Sequence, residues 1–189
     1  MKYIFTLLLF TIFISTNILS SDEISEDCSS KNVPSSERSF SNNFSGNFNG
    51  KNLQYTASLK EKILYEKDNP NEPMASFFYT EYIVASDKNR PVIFSFNGGP
   101  GSASLWLHMG VLGPKVIKVP SDASDDGSAP YKIVDNKLSP LSDADLVFID
   151  PIGTGYSRAV GCHEPEEFWG VSEDPKIIAE FIRRWINDN

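Results

Sequence analysis

Phe94-Ser-Phe-Asn-Gly-Gly-Pro-Gly-Ser-Ala-Ser104 is the stretch on which the reading of this chain turns. It grows out of a short apolar run, Pro91 to Phe96 (PVIFSF), that breaks off at Asn97-Gly98-Gly99-Pro100-Gly101. Two adjacent glycines permit positive φ and leave no Cβ between backbone and ligand, so successive N–H groups can point at one negative oxygen. Pro100 stiffens the bend, and a helix starting after Ser102 adds a field favourable to negative charge. Asn97 offers a side-chain amide that can hydrogen-bond a carboxylate. Two chemistries use such a bend: phosphate binding, and stabilisation of the oxyanion in acyl transfer. The phosphate motif G-x-x-x-x-G-K-[ST] lacks its Lys-Ser/Thr here. The dinucleotide motif G-x-G-x-x-G is not completed by this bend, nor by Gly153-Thr154-Gly155, where Arg158 takes the third glycine position. A tight turn without a ligand is the plain alternative.

Working outward, Leu146 to Ile149 (LVFI) is a second short apolar run, ending at Asp150-Pro151. Runs apolar on both faces suit central strands of a mostly parallel sheet. Ser76 to Ala85 (SFFYTEYIVA) is dense in aromatic and β-branched residues and predicts a strand. Leu53 to Leu59 and Ile63 to Tyr65 alternate as an antiparallel pair would, and Asp68 to Pro73 (DNPNEP) is a turn. A short helix is expected from Ala103 to Leu112, capped by Ser102 and stopped by Gly113-Pro114. A stronger one begins at Asp174-Pro175, with Ile177, Ile178, Phe181, Ile182, Trp185 and Ile186 on one face. Strand–helix alternation of this kind is an α/β pattern, and after the last helix a parallel sheet calls for another strand.

The 189 residues carry 17 Lys+Arg against 25 Asp+Glu, a net charge of −8, which argues against a phosphate-neutralising surface and hence against nucleic acid. Hydrophobic residues at 40% suffice for a core. Met1 to Ser21 pairs Lys2 with an apolar run from Tyr3 to Ile14 and reads as a signal peptide, with an uncleaved anchor as the alternative. The expectation is a secreted or periplasmic protein with no stable membrane anchor once the signal is removed. Residues 22–50 are rich in Ser, Asn and acidic side chains and are expected to be a flexible lead-in. Within them Asn43-Phe44-Ser45 forms a glycosylation triplet, to which no function is assigned. Export permits a Cys28–Cys162 disulfide, while unpaired thiols stay equally open.

The two blocks together, Asn97 to Ser102 and then Asp145 to Ser157 (DLVFIDPIGTGYS), resemble the serine carboxypeptidase family. Its members are α/β hydrolases that release C-terminal residues from peptides. The resemblance runs from about Leu53 to the end and implies that residues 51–189 form the N-terminal part of such a domain. The sheet would then be an incomplete α/β-hydrolase sheet, ending before the nucleophile elbow. By that resemblance Asn97 helps grip the terminal carboxylate of a peptide substrate, with Gly98 beside it. The N–H of Gly99 would be one oxyanion donor, and Tyr156 would face the cleft. Ser102 stands where many vacuolar and lysosomal members have Cys, which places the chain nearer bacterial-type members. No cofactor or metal is implied. The family's Gly-Glu-Ser-Tyr-Gly elbow does not occur in residues 1–189, so this chain by itself is expected to be inactive.

Several residues imitate a site. Gly155-Tyr156-Ser157-Arg158-Ala159 approximates G-x-S-x-G, but no helical pattern follows Ser157 as an elbow requires. His108 is expected to be packed within its helix, and His163 lies in a turn; neither follows a nucleophile. Asp122 to Gly127 resembles the start of a calcium loop, but position twelve is Ile133 rather than Glu, and an exposed acidic loop is expected. The competing functions are an esterase or acyltransferase on the same scaffold, and a non-catalytic peptide-binding module.

Overall fold

In the computed structural model, residues 28–86, 89–98, 101–119 and 129–189 are described. The residues read as a signal peptide, and the acidic loop Asp122 to Gly127, lie outside them.

Period-two alternation builds most of the sheet. Strand β1 (Ser39–Phe48) and β2 (Lys51–Tyr65) form a hairpin closed by Asn49 and Gly50. Both closing residues have positive φ, 49° and 79°, as a two-residue turn matched to strand twist demands. β3 (Pro73–Val84) returns antiparallel to β2. Then follow β4 (Val92–Ser95), β5 (Lys115–Lys118), β6 (Lys132–Asp135), β7 (Asp145–Ile149) and β8 (Arg158–Ala159). The main sheet runs β1-β2-β3-β7-β4, with β8 paired to one end of β3; β5 and β6 form a separate hairpin.

Among the described residues only β4 and β7 pair in parallel, so the sheet is mixed and not mostly parallel as expected. The apolar runs did mark the parallel pair, but long alternating strands joined by short turns outnumber it. All five residues of β7 are buried, as befits a strand between two others. A second correction concerns residues 22–50. They contain β1, which pairs with β2 without interruption from Ser39 to Phe48, so this part is an ordered edge strand and not a flexible lead-in. Its Ser/Asn-rich composition hid it because backbone hydrogen bonds, not side-chain burial, make the pairing.

The sheet is covered on both faces. Helix α2 (Glu173–Asp188) packs Ile177, Ile178, Phe181 and Trp185 against Phe77, Tyr79, Val147 and Ile149. Phe181 contacts the rings of Phe77 and Tyr79 at centroid distances of 5.2 and 5.0 Å. Ile186, expected on the same face, is 58% exposed at the last turn. On the opposite face Phe48, Tyr55, Tyr82, Leu146 and Phe148 pack with Leu141. Helix α1 (Leu105–Leu107) continues into a π turn, His108–Leu112, closed by Gly113 N–H donating to the His108 carbonyl at 2.9 Å. A Cβ at Gly113 would collide with that carbonyl, which is why a glycine ends the turn. Cys28 and Cys162 form a disulfide, resolving the pairing that composition left open. No helix among the described residues is long and apolar enough to cross a membrane.

Truncating Phe181→Ala should cost about 3–5 kcal/mol, whereas Ile186→Ala should change stability by no more than about 0.5 kcal/mol. Urea unfolding of the two variants checks which face of α2 carries the packing.

Candidate functional site

Parallel pairing sends β4 and β7 in the same direction, so the bends that follow them emerge side by side at one end of the sheet. In open α/β sheets ligands bind at such carboxyl ends. The two bends are the glycine bend after Ser95 and the Asp150–Ser157 loop.

Ser104 stitches them together. Its N–H donates to Asp150 Oδ1 at 2.8 Å, and its hydroxyl donates to the Ile149 carbonyl in a short hydrogen bond. The same hydroxyl accepts from the Asn97 N–H at 3.3 Å. Ser104 is 2% exposed, so these bonds run without competition from water. It stands at the N-cap position of α1 yet makes no side-chain cap. Ser102, expected to cap, instead accepts from Asn97. Sequence reasoning missed Ser104 because its partners lie on another strand; the only local signal was a Ser directly before Leu105-Trp106-Leu107.

Asn97 is turned into the bend. Its Nδ2 donates to Ser102 Oγ and to the Ala103 carbonyl, both at 3.0 Å. A carbonyl can only accept, so this partner fixes which end of the amide points inward. Both amide protons are used, and Asn97 braces the loop. Gly98 borders open space, since a Cβ there would meet nothing within 4 Å, and the same holds at Gly101. Gly99, whose N–H was read as an oxyanion donor, lies outside the described residues.

Asp150 anchors the second bend. Burial pushes its carboxyl above the ordinary range, with the Ser104 N–H pulling the other way. Gly155, at φ 51°, packs directly on that carboxylate and leaves no room for a Cβ. Ser104, His108, Phe148 and Asp150 line a small cavity of about 90 Å³ together with Tyr79 and Thr80. Tyr156 is not part of it. It is 70% exposed, packs on Phe78 at 5.6 Å, and lines a separate cleft of about 380 Å³ with Arg38, Glu61, Ser76 and Arg158. Among the described residues, none of the glycine bend lines that cleft.

The imitators are accounted for by packing. Ser157 is fully buried and its Oγ accepts from the Phe78 N–H at 2.8 Å, which ties the loop to β3. His108 stacks on Phe148 at 4.5 Å, and its Nε2 lies 2.5 Å from Tyr82 Oη. Burial lowers its pKa to about 4, so it is a neutral packing residue, as expected. His163 Nδ1 meets Glu167 at 2.9 Å in its turn. Among the described residues no group of His, Cys, Asp or Glu is arranged to hold a metal.

A family model described as serine carboxypeptidase matches residues 53–188. Similar proteins include serine carboxypeptidase-like 9 of Arabidopsis thaliana, 33% identical over 119 residues, covering 61% of this chain and 25% of the relative. Serine carboxypeptidase-like 38 of the same plant is 31% identical over 163 residues, covering 74% of this chain and 31% of the relative. Carboxypeptidase Y homolog A of Chaetomium globosum is 34% identical over 102 residues, covering 53% and 16%. The chain spans about a quarter of the length of the first of these relatives. They come from plants and fungi, so the expected kinship with bacterial-type members finds no support among them.

Gly155→Ala should destabilise the fold by about 2 kcal/mol, because it combines a left-handed φ with a clash on Asp150. Gly98→Ala should leave it within about 1 kcal/mol, and thermal melts distinguish the two. For His108 the unfolded pKa is about 6.5 and the folded value about 4, so between these pH values the unfolded chain binds a proton that the folded chain does not. This contribution is fully present above pH ~6.5 and lost as pH falls toward ~4, by about 2–3 kcal/mol. Urea unfolding across that range should show a slope that His108→Phe flattens.

Proposed function

The chain belongs to the serine carboxypeptidase family, and from that premise we propose that it supplies the oxyanion-binding and carboxylate-binding wall of a serine-type carboxypeptidase. The reaction is acyl transfer: a serine attacks the last peptide carbonyl, releases the C-terminal residue, and yields its ester to water. The observation that carries this reading is the Ser104 stitch. It holds the glycine bend against the end of β7 while Gly98 fronts open space.

Backbone amides fixed in advance toward a developing negative oxygen are what acyl transfer needs. In this proposal Gly99 N–H faces the oxyanion, and Gly98 lies beside the substrate's terminal carboxylate. Asn97 acts by bracing the bend, since its amide protons are bound within it. Tyr156, which packs on Phe78 and lines a neighbouring cleft, has no direct part in this reading. In this proposal the nucleophile and its histidine come from residues outside 1–189, since the Gly-Glu-Ser-Tyr-Gly elbow does not occur in this sequence. Export, read from Met1–Ser21, would bring the enzyme to peptides outside the cytoplasm.

Two measurements test this. Purified 1–189 should not turn over a blocked dipeptide; serine-dependent hydrolysis abolished by a fluorophosphonate would overturn the assignment of the nucleophile elsewhere. In an enzyme that carries the elbow, Gly99→Pro removes the donor and should lower kcat/KM about 10²–10³-fold on peptides with a free C-terminus. Unchanged activity, or a preference for esters without a free carboxylate, would point to an esterase or acyltransferase instead.

A further inference from the structure

The outer edge of the sheet is β1, and its sequence, SFSNNFSGNF from Ser39 to Phe48, holds no charge and no proline. It runs against β2 without a bulge. Natural edge strands are usually protected by one of these devices, because an open row of N–H and C=O groups is a template for another strand. Among the described residues no strand pairs with the far side of β1.

The direction of its backbone groups follows from one bond. The Arg38 carbonyl accepts from the Glu61 N–H at 2.8 Å, so even-numbered positions turn their polar groups toward β2. Ser39, Ser41, Asn43, Ser45 and Asn47 therefore turn theirs outward. Those five side chains lie on one face of the sheet, opposite Lys60, Ser58, Thr56, Gln54 and Asn52. Phe40, Phe44 and Phe48 lie on the other, and Phe40 and Phe44 are 65% and 46% exposed.

This pattern is complementary to itself. We propose that the chain forms a twofold dimer in which β1 pairs antiparallel with β1 of a second copy, centred on Phe44. In that register the exposed Phe44 faces the partner's Phe44, and Phe40 lies opposite the partner's position 48, whose own ring is buried in its core. Asn43 faces the partner's Ser45, and Ser41 faces the partner's Asn47. Each hydrogen-bonded pair then joins two outward-turned residues, and each face keeps its polarity across the junction. A shift of one residue sets outward groups against inward ones and destroys the ladder. A shift of two sets Phe44 against the partner's Asn42 or Gly46-side neighbours in place of an aromatic ring. A second copy is favoured over an unrelated strand because the match needs no sequence other than that of β1. A twofold pairing also closes on itself, leaving no further β1 edge exposed.

Sedimentation of the whole chain over a concentration series reads the monomer–dimer equilibrium. Ser45→Pro deletes one outward N–H without touching the ladder to β2, and should raise the dissociation constant at least about tenfold while the far-ultraviolet spectrum is unchanged. Register is read by cross-linking. Phe44→Cys places two thiols at a non-hydrogen-bonded pair, about 4.5 Å between Cα atoms, and should give a disulfide dimer under mild oxidation. Asn42→Cys places its thiols four residues out of register, roughly 13 Å apart, and should not. If Phe44→Cys does not fold, an equal mixture of Asn43→Cys and Ser45→Cys should cross-link in its place. A chain that stays monomeric at about 100 µM, an assembly indifferent to Ser45→Pro, or equal cross-linking through Asn42→Cys would overturn the proposal.

Discussion

The hydroxyl of Ser104 donates to the end of β7 and accepts from the glycine bend after β4, while its own N–H holds Asp150. A bend containing Gly98, Gly99 and Gly101 is costly to order, since glycine gives up more backbone freedom than any other residue. Three hydrogen bonds at one buried residue, Ser104, offset part of that cost by tying Asn97 to Ile149 and Asp150. The two amide bonds of Asn97 add to it from the other side. An amide presented to a developing charge is useful only if it need not reorganise at that moment. In the proposed function, the bracing of the bend and the stabilisation of an oxyanion would therefore be one property.

Upstream of this stitch, the sheet must have one register. Two buried carboxylates serve that end. Glu61 receives Arg38 Nε at 2.7 Å and Ser76 Oγ at 2.5 Å, and on the opposite face Glu81 receives Lys60 at 2.5 Å and Trp185 Nε1 at 3.0 Å. Burial pushes Glu61 upward, yet the bonds from Arg38 and Ser76 outweigh it and hold the group below its usual range. Buried ion pairs contribute little net stability when intact, but an orphaned one is costly. A slip of one residue between β2 and β3 would carry Glu81 to the face away from Lys60 and part Glu61 from Ser76, and a slip between β1 and β2 would part Glu61 from Arg38. The pairs thus act chiefly against wrong registers, and a correct register of β3 sets the position of β7.

How much of this was legible depends on whether a feature was local. β3, β4 and β7 could be read because their residues are apolar beyond what loops need, and α2 because its buried residues repeat at helical spacing. β1 could not: its pairing is made by the backbone, and serine and asparagine report on solvent exposure rather than on strand formation. The end of β4 before the glycine bend was legible, since Gly-Gly followed by Pro disfavours continuing a strand. Its stitch to Asp150 was not, because it exists only where β4 and β7 are neighbours. The same non-locality separates Tyr156 from Asn97. Both belong to recognisable blocks, yet Tyr156 lies over Phe78 and lines a different cleft.

The order of strands gives the molecule two dissimilar ends. β4 at one end carries the glycine bend and packs Phe94 against Trp185 of α2 at 5.2 Å. β1 at the other end is separated from it by β2, β3 and β7, and its outward groups belong to small polar residues. Neighbouring strands lie about 4.8 Å apart, so a junction at β1 stands roughly 20 Å from β4. Association through β1 therefore extends the sheet without approaching the bends, and a twofold axis there places one glycine bend at each extremity. The two edges can serve different purposes because the ion pairs between them hold the intervening strands in one register, so that a strand added at β1 does not have to be accommodated by movement at β4.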